Sequence, residues 1–141
     1  MNLLRAIAAV LVGILLAYLL PRLLEQVLVQ SIAGRNLYTA GDYFAARNTA
    51  GPIAARLILT FFLGVMAGHT AARVAREDAV RTVGAAAAAL SLMMIWDFTG
   101  GEFAWGTPVW LRVALVALSG PPMMLGAMAR VSAAALQPPK S

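Results

Sequence analysis

The chain has no cysteine, one histidine and little charge. Without cysteine there is no disulfide, thiolate metal site, iron–sulfur cluster, covalently attached c-type haem or cysteine nucleophile. With His69 alone, a two-histidine haem has no second ligand in the chain. Charged residues make up 12% of the 141, against about 25% in soluble domains. Acidic residues are the scarcer sign, 6 against 11 basic, giving a net charge of +5. No basic run is interleaved with aromatics, so no nucleic-acid partner is expected. The excess reads instead as arginines at helix ends facing phosphate headgroups. No phosphate loop, HExxH or GxSxG occurs, and no nucleophile–base–orienter set is visible. The chain is therefore not expected to be an enzyme, and no cofactor is implied.

What is abundant is apolar surface. Hydrophobic residues are 61% of the chain, above the 45–50% or so of soluble domains. They fall into runs long enough to cross a bilayer, so the expected fold is all-α, an integral membrane bundle of four transmembrane helices in one domain. The lipid bilayer is the first partner.

The first span is expected over 3–20, with Arg5 snorkelling to the near interface. A signal peptide would need a small-x-small cleavage site; Ala17-Tyr18-Leu19-Leu20-Pro21 is bulky, so an uncleaved span is expected. Pro21 should kink or interrupt it. Leu23, Leu24, Val27, Leu28 and Ile32 follow at helical spacing between polar residues, predicting a short amphipathic helix that stops near Gly34. Residues 34–52 are a polar extramembrane connection, where Thr39 or Asp42 caps a short helix through Arg47.

The second span is expected over 53–75. It carries small residues at every fourth position: Thr60, Gly64, Gly68 and Ala72. On a helix these form one stripe, a seam that admits another backbone closely. The seam contains a GxxxG match, and the sequence leaves open whether its partner helix is internal or from another chain. The third span, 82–96, includes Ala85 to Ala89 and is short and slim. A hairpin loop is expected over 97–107, holding the weak polar candidates Asp97 and Glu102. The fourth span, 108–131, carries Gly120, Pro121 and Pro122 near its middle, a kink that is either structural or functional. Residues 137–141 are expected to be a disordered tail.

The link at 76–81 and the adjoining span ends hold Arg73, Arg76 and Arg81. Arg5, Arg130 and Lys140 join that face. The other face has Arg22, Arg35, Arg47, Arg56 and Arg112, spread over much more chain, and its hairpin 97–107 has no basic residue. The positive-inside rule then places both termini in the cytoplasm. His69 is a candidate for a pigment, haem or metal, against the plainer role of a polar group bonding a neighbouring helix. Arg112 is expected to snorkel outward.

Residues 53–76, from Ile-Ala-Ala-Arg to Arg-Val-Ala-Arg, and 108–130, from Pro-Val-Trp to Leu-Gly-Ala-Met-Ala-Arg, resemble the small, uncharacterised four-span inner-membrane proteins of bacteria. The resemblance implies a bacterial inner-membrane location and no particular activity. The expected role is that of a non-enzymatic accessory, assembly or oligomeric subunit, with a homo-oligomer or another membrane protein as partner. The alternatives are a small oligomeric transporter or channel-like protein, and a pigment- or haem-binding subunit using His69.

Overall fold

The computed structural model describes residues 3–34, 37, 39–100, 104 and 106–136. Glu102 and the tail at 137–141 lie outside the described residues. Among those described there are five helices and no strand. Four of the helices are long and apolar enough to cross a membrane.

The first, α1 (Leu3–Ala33), is one rod of 31 residues. The separate amphipathic helix expected after the first span is its continuation. Pro21 does not break it, because Leu15–Leu19 widens into a π-helical turn just upstream. The Leu20 N–H bonds five residues back, to Leu15 O. Proline has no N–H and its ring crowds the carbonyl four residues earlier; a wider turn relieves both problems. Gly34 ends the rod in the left-handed region, φ 61°, where a Cβ is disfavoured.

Helix α2 (Ala40–Arg47) is short and polar. Its cap is Thr39, whose hydroxyl oxygen accepts from the Asp42 N–H at 3.1 Å. Helix α3 (Ala50–Ala75) follows. A 3-10 turn, Arg76–Asp78, then leads into α4 (Ala79–Gly100). Helix α4 is longer than the sequence led us to expect. It runs past Trp96, so Asp97 sits on a helix and not in a hairpin loop. Alanine and leucine favour the helical state, and no proline or cap stops it before Gly100. Helix α5 (Val109–Ala135) spans 27 residues and breaks between Ala117 and Pro121.

Large apolar side chains point outward on all four long helices. Leu11 and Leu15, Phe62 and Met66, Leu92 and Trp96, and Val113 and Leu125 are exposed. Lengths of 22 to 31 residues correspond to roughly 33–46 Å of helix, enough for a hydrocarbon core of about 30 Å. Apolar surface of this extent is stable only against lipid. The protein is a multi-pass membrane protein.

The four rods alternate in direction. Gly13 lies against Ala71, Ala86 and Met123 at one end, whereas Glu25 meets Arg47 and Arg56 at the other. The tightest packing joins α3 to the second half of α5. A Cβ on Gly68 would lie 1.8 Å from Met123 O, and one on Gly126 would lie 2.0 Å from Val65 O. Two backbones therefore touch, which only hydrogen-for-Cβ permits. Gly64 faces Pro122 in the same contact, at 2.9 Å for its notional Cβ. Gly64 and Gly68 of the small-residue seam thus pack within the chain, against α5. The slim α4 fills the adjoining space, with Ala86, Ala87 and Leu90 buried.

Candidate functional site

Five charged side chains meet between the helices at the end of the bundle that carries α2. They form two linked groups. In the first, Glu25 of α1 accepts a hydrogen bond from Arg47 Nε of α2. Arg56 Nη1 of α3 faces the same carboxylate oxygen at 3.3 Å, an ion pair without hydrogen-bond alignment. Arg47 Nη1 donates to Thr107 Oγ1 at 2.7 Å. Arg47 is only 1% exposed and Glu25 is 6% exposed. In the second group Asp97 of α4 accepts from the Tyr18 hydroxyl at 2.5 Å and from Arg22 Nη2. The Arg22 guanidinium also lies over the Tyr18 ring, 4.2 Å from its centroid.

Local sequence explains why these groups converge. Arg22 and Glu25 are three apart on α1 and so share a face. Tyr18 is one turn before Arg22 on the same stripe. Arg47 closes α2, and its reach past the Phe44 ring brings it under Thr107. A single charge at the centre of a membrane helix disfavours insertion by about 2.5–3.5 kcal/mol. The groups are stable here because each cation meets a carboxylate. The same pairing ties α2 and the start of α5 to the bundle, making a rigid cap.

Beneath the ion pairs is a small cavity of about 30 Å³. Arg22, Glu25, Arg56, Thr60 and Ser119 line its polar side, and it has room for about two waters. Above, at the cap surface, an open groove of about 460 Å³ runs between Phe44, Asn48, Gly106, Thr107 and Arg112. Asn48 Nδ2 donates to Gly106 O at 2.8 Å, while its buried Oδ1 has no hydrogen bond. Tyr43, on α2 beside this cluster, has its phenol pushed above the ordinary value by burial and by the nearby Glu25 charge.

The residues singled out in the sequence fall in different places. Thr60 lines the small cavity, Gly64 and Gly68 pack on α5, and Ala72 is buried near the opposite end. Asp97 joins the polar cluster. Gly120 opens the break in α5, and a Cβ there would lie 3.0 Å from Ser91 Oγ. Ser91 of α4 hydrogen-bonds with Ser119 in that break at 3.0 Å. Pro121 is exposed and Pro122 buried beneath Gly64. His69 is half-buried on α3, far along the helix from the cluster. Its backbone N lies 2.8 Å from where a Cβ on Gly126 would be. Arg112 turns back toward the chain, donating from Nε to Thr107 O at 2.7 Å.

Sequence reasoning missed Arg22, Glu25, Arg47 and Arg56 as a set. A signal existed in Arg56, a charge inside an apolar run, since an ionisable group within a membrane helix marks a site with a partner. Its partner is on another helix, and no spacing rule reveals that. No family model, curated protein or solved structure matches this sequence.

Proposed function

We propose that this is a non-catalytic subunit of a bacterial inner membrane, both termini cytoplasmic, that acts by packing against a second membrane component. One observation carries the reading: the charges inside the bundle are tied to one another and enclose only about 30 Å³. That space admits water and no organic substrate. The ion pairs act as a clasp that holds the α2 cap in one orientation, a use of buried charge for geometry more than for stability. The partner does not use the Gly64–Gly68 seam, which α5 occupies. An apolar groove of about 460 Å³ between α4 and the first half of α5 remains open, lined by Ile95, Phe98, Val113 and Val116. It offers a second membrane helix a seat. Mass measurement and crosslinking in mild detergent test the proposal. A higher-order species or a stoichiometric membrane partner supports it; a strictly monomeric protein with nothing co-purifying overturns it.

A second reading is a small transporter or channel-like protein. The break in α5 lies next to the charged cavity, the arrangement in which half-helix ends and ionisable groups bind ions in transporters. Ion flux into proteoliposomes that exceeds protein-free vesicles and vanishes in Glu25→Gln would favour it. Pigment or haem binding at His69 is decided by an absorption spectrum of protein purified from its native membrane.

A further inference from the structure

At the end of the bundle opposite the charged cluster, α3 and the last turns of α5 diverge around the Arg76–Asp78 turn. They leave a groove of about 580 Å³. Three arginines line it: Arg73 at the end of α3, Arg76 in the turn and Arg130 on α5. Its other walls include Ala72, Ala79 and Val131. A second depression continues from it past Arg76 to Arg81 and Asp78. None of the guanidinium groups of Arg73, Arg76 and Arg130 has a hydrogen bond or ion pair among the described side chains, which do not include that of Glu77, in contrast with the paired arginines at the far end.

Backbone geometry makes the gathering deliberate. Arg76 has φ 58° and ψ −98°, and it is the one non-glycine residue with positive φ among those described. Such a conformation costs on the order of 1–3 kcal/mol and persists where the surroundings require it. Here it folds the chain back sharply, so that Arg76 in the bend lines the same groove as Arg73 in the last turn before it. Helix dipoles do not decide the chemistry. The positive end of α4 and the negative ends of α3 and α5 terminate here, each worth about half a charge, so the helix ends do not favour an anion and the arginines must supply the attraction. Three full positive charges remain, set against Asp78 of the adjoining depression and the neighbouring Glu77, whose side chain is outside those described.

We propose that this groove binds a phosphate anion at the level of the membrane surface, supplied by the headgroup of an anionic phospholipid. Arginine suits this ligand because its planar fork meets two phosphate oxygens at once. The apolar floor argues for a lipid as the source. Val131 lies at the rim, and Met128 and Leu125 continue outward-facing along α5, a path for an acyl chain. Basic pockets between membrane helices hold anionic headgroups in this way.

The test uses the full chain in a zwitterionic detergent. Phosphatidylglycerol, phosphatidylcholine and inorganic phosphate are titrated separately, and retention is read by native mass spectrometry together with the thermal midpoint. Phosphatidylglycerol should bind and raise the midpoint, phosphatidylcholine should not, and inorganic phosphate should compete only weakly. Arg73→Gln/Arg76→Gln/Arg130→Gln should weaken phosphatidylglycerol binding at least tenfold. Arg130→Gln alone leaves the bend untouched and should give a smaller loss in the same direction. Arg5→Gln, an exposed arginine outside the groove, should bind as the unmodified protein does. Equal binding of the two lipids overturns the proposal, as does a triple variant that binds normally or an Arg5→Gln loss as large as the triple variant's. Tight binding of inorganic phosphate alone overturns the lipid as source.

Discussion

Glu25 and Arg47 form an ion pair across 22 residues of sequence, with side chains 8% and 1% exposed. Arg56 shares the same carboxylate oxygen. Among the described residues Glu25 is therefore the anion that these two cations share, and its loss should outweigh the loss of either partner. Glu25→Gln keeps the shape and removes the charge, and should destabilise the protein by about 3–5 kcal/mol, the cost of stranding a buried partner. Arg47→Met leaves Glu25 paired with Arg56 and should lose less. Thermal unfolding in detergent checks the order; equal losses would mean that Arg56 contributes nothing to balancing Glu25.

Gly68 and Gly126 each meet carbonyl oxygen, which cannot rotate away as a side chain tip can. Gly68→Ala and Gly126→Ala should each destabilise by more than about 1–3 kcal/mol, the usual range for overpacking, because two helices must separate. Gly84→Ala is the matched control, since its Cβ would meet only Met124 Sδ at 3.9 Å. It should match the unmodified protein or gain slightly from alanine's helix propensity. A tolerant Gly68→Ala in the same melting experiment would contradict the close approach of α3 and α5.

Asp97→Asn should be milder than Glu25→Gln. Charge-assisted hydrogen bonds contribute about 1.5–3 kcal/mol when buried, but the Arg22 side chain is 29% exposed and can reach toward water when released. A loss equal to that of Glu25→Gln would show that Arg22 is held as firmly as Arg47.

Alkaline pH should loosen the cap. The Tyr43 phenol lies above its ordinary value of 10.0, first through burial and then through Glu25. Its contribution to stability is complete below pH 10.0 and is lost as pH rises through the elevated folded value, because the unfolded chain gives up that proton first. The melting temperature of the native protein should fall there more steeply than that of Tyr43→Phe. Parallel curves would remove Tyr43 as the cause.

The membrane bundle was legible because apolar runs of bilayer length leave few alternatives. At Gly64 and Gly68 the sequence offered a readable packing signal, since small residues four apart have few other uses in a membrane helix. The partner of these glycines was not legible, because the matching residues, Met123 and Gly126, follow a proline pair that reads as an interruption. The end of α4 was misplaced for a related reason. Asp97 looks like the first residue of a polar loop until Tyr18 and Arg22 supply what a charge needs to stay on a helix. The charged cluster was largely hidden: Glu25, Arg47, Arg56 and Thr107 come from four segments, and only the folded chain brings them together.

The π-helical turn at Leu15–Leu19 has a steric result beyond sparing Pro21. Each residue of a helix advances the winding by about 100°, and a π turn inserts one residue more than an ordinary turn holds. Inserting one alanine between Leu19 and Leu20 adds a residue that this turn cannot also absorb and should swing Arg22 and Glu25 by about that angle relative to Ala9 and Gly13, so the folded yield should collapse; a normal yield would refute this. The wide turn is in effect a phase shifter, letting one rod present small residues to its neighbours near its beginning and an acid to them farther along.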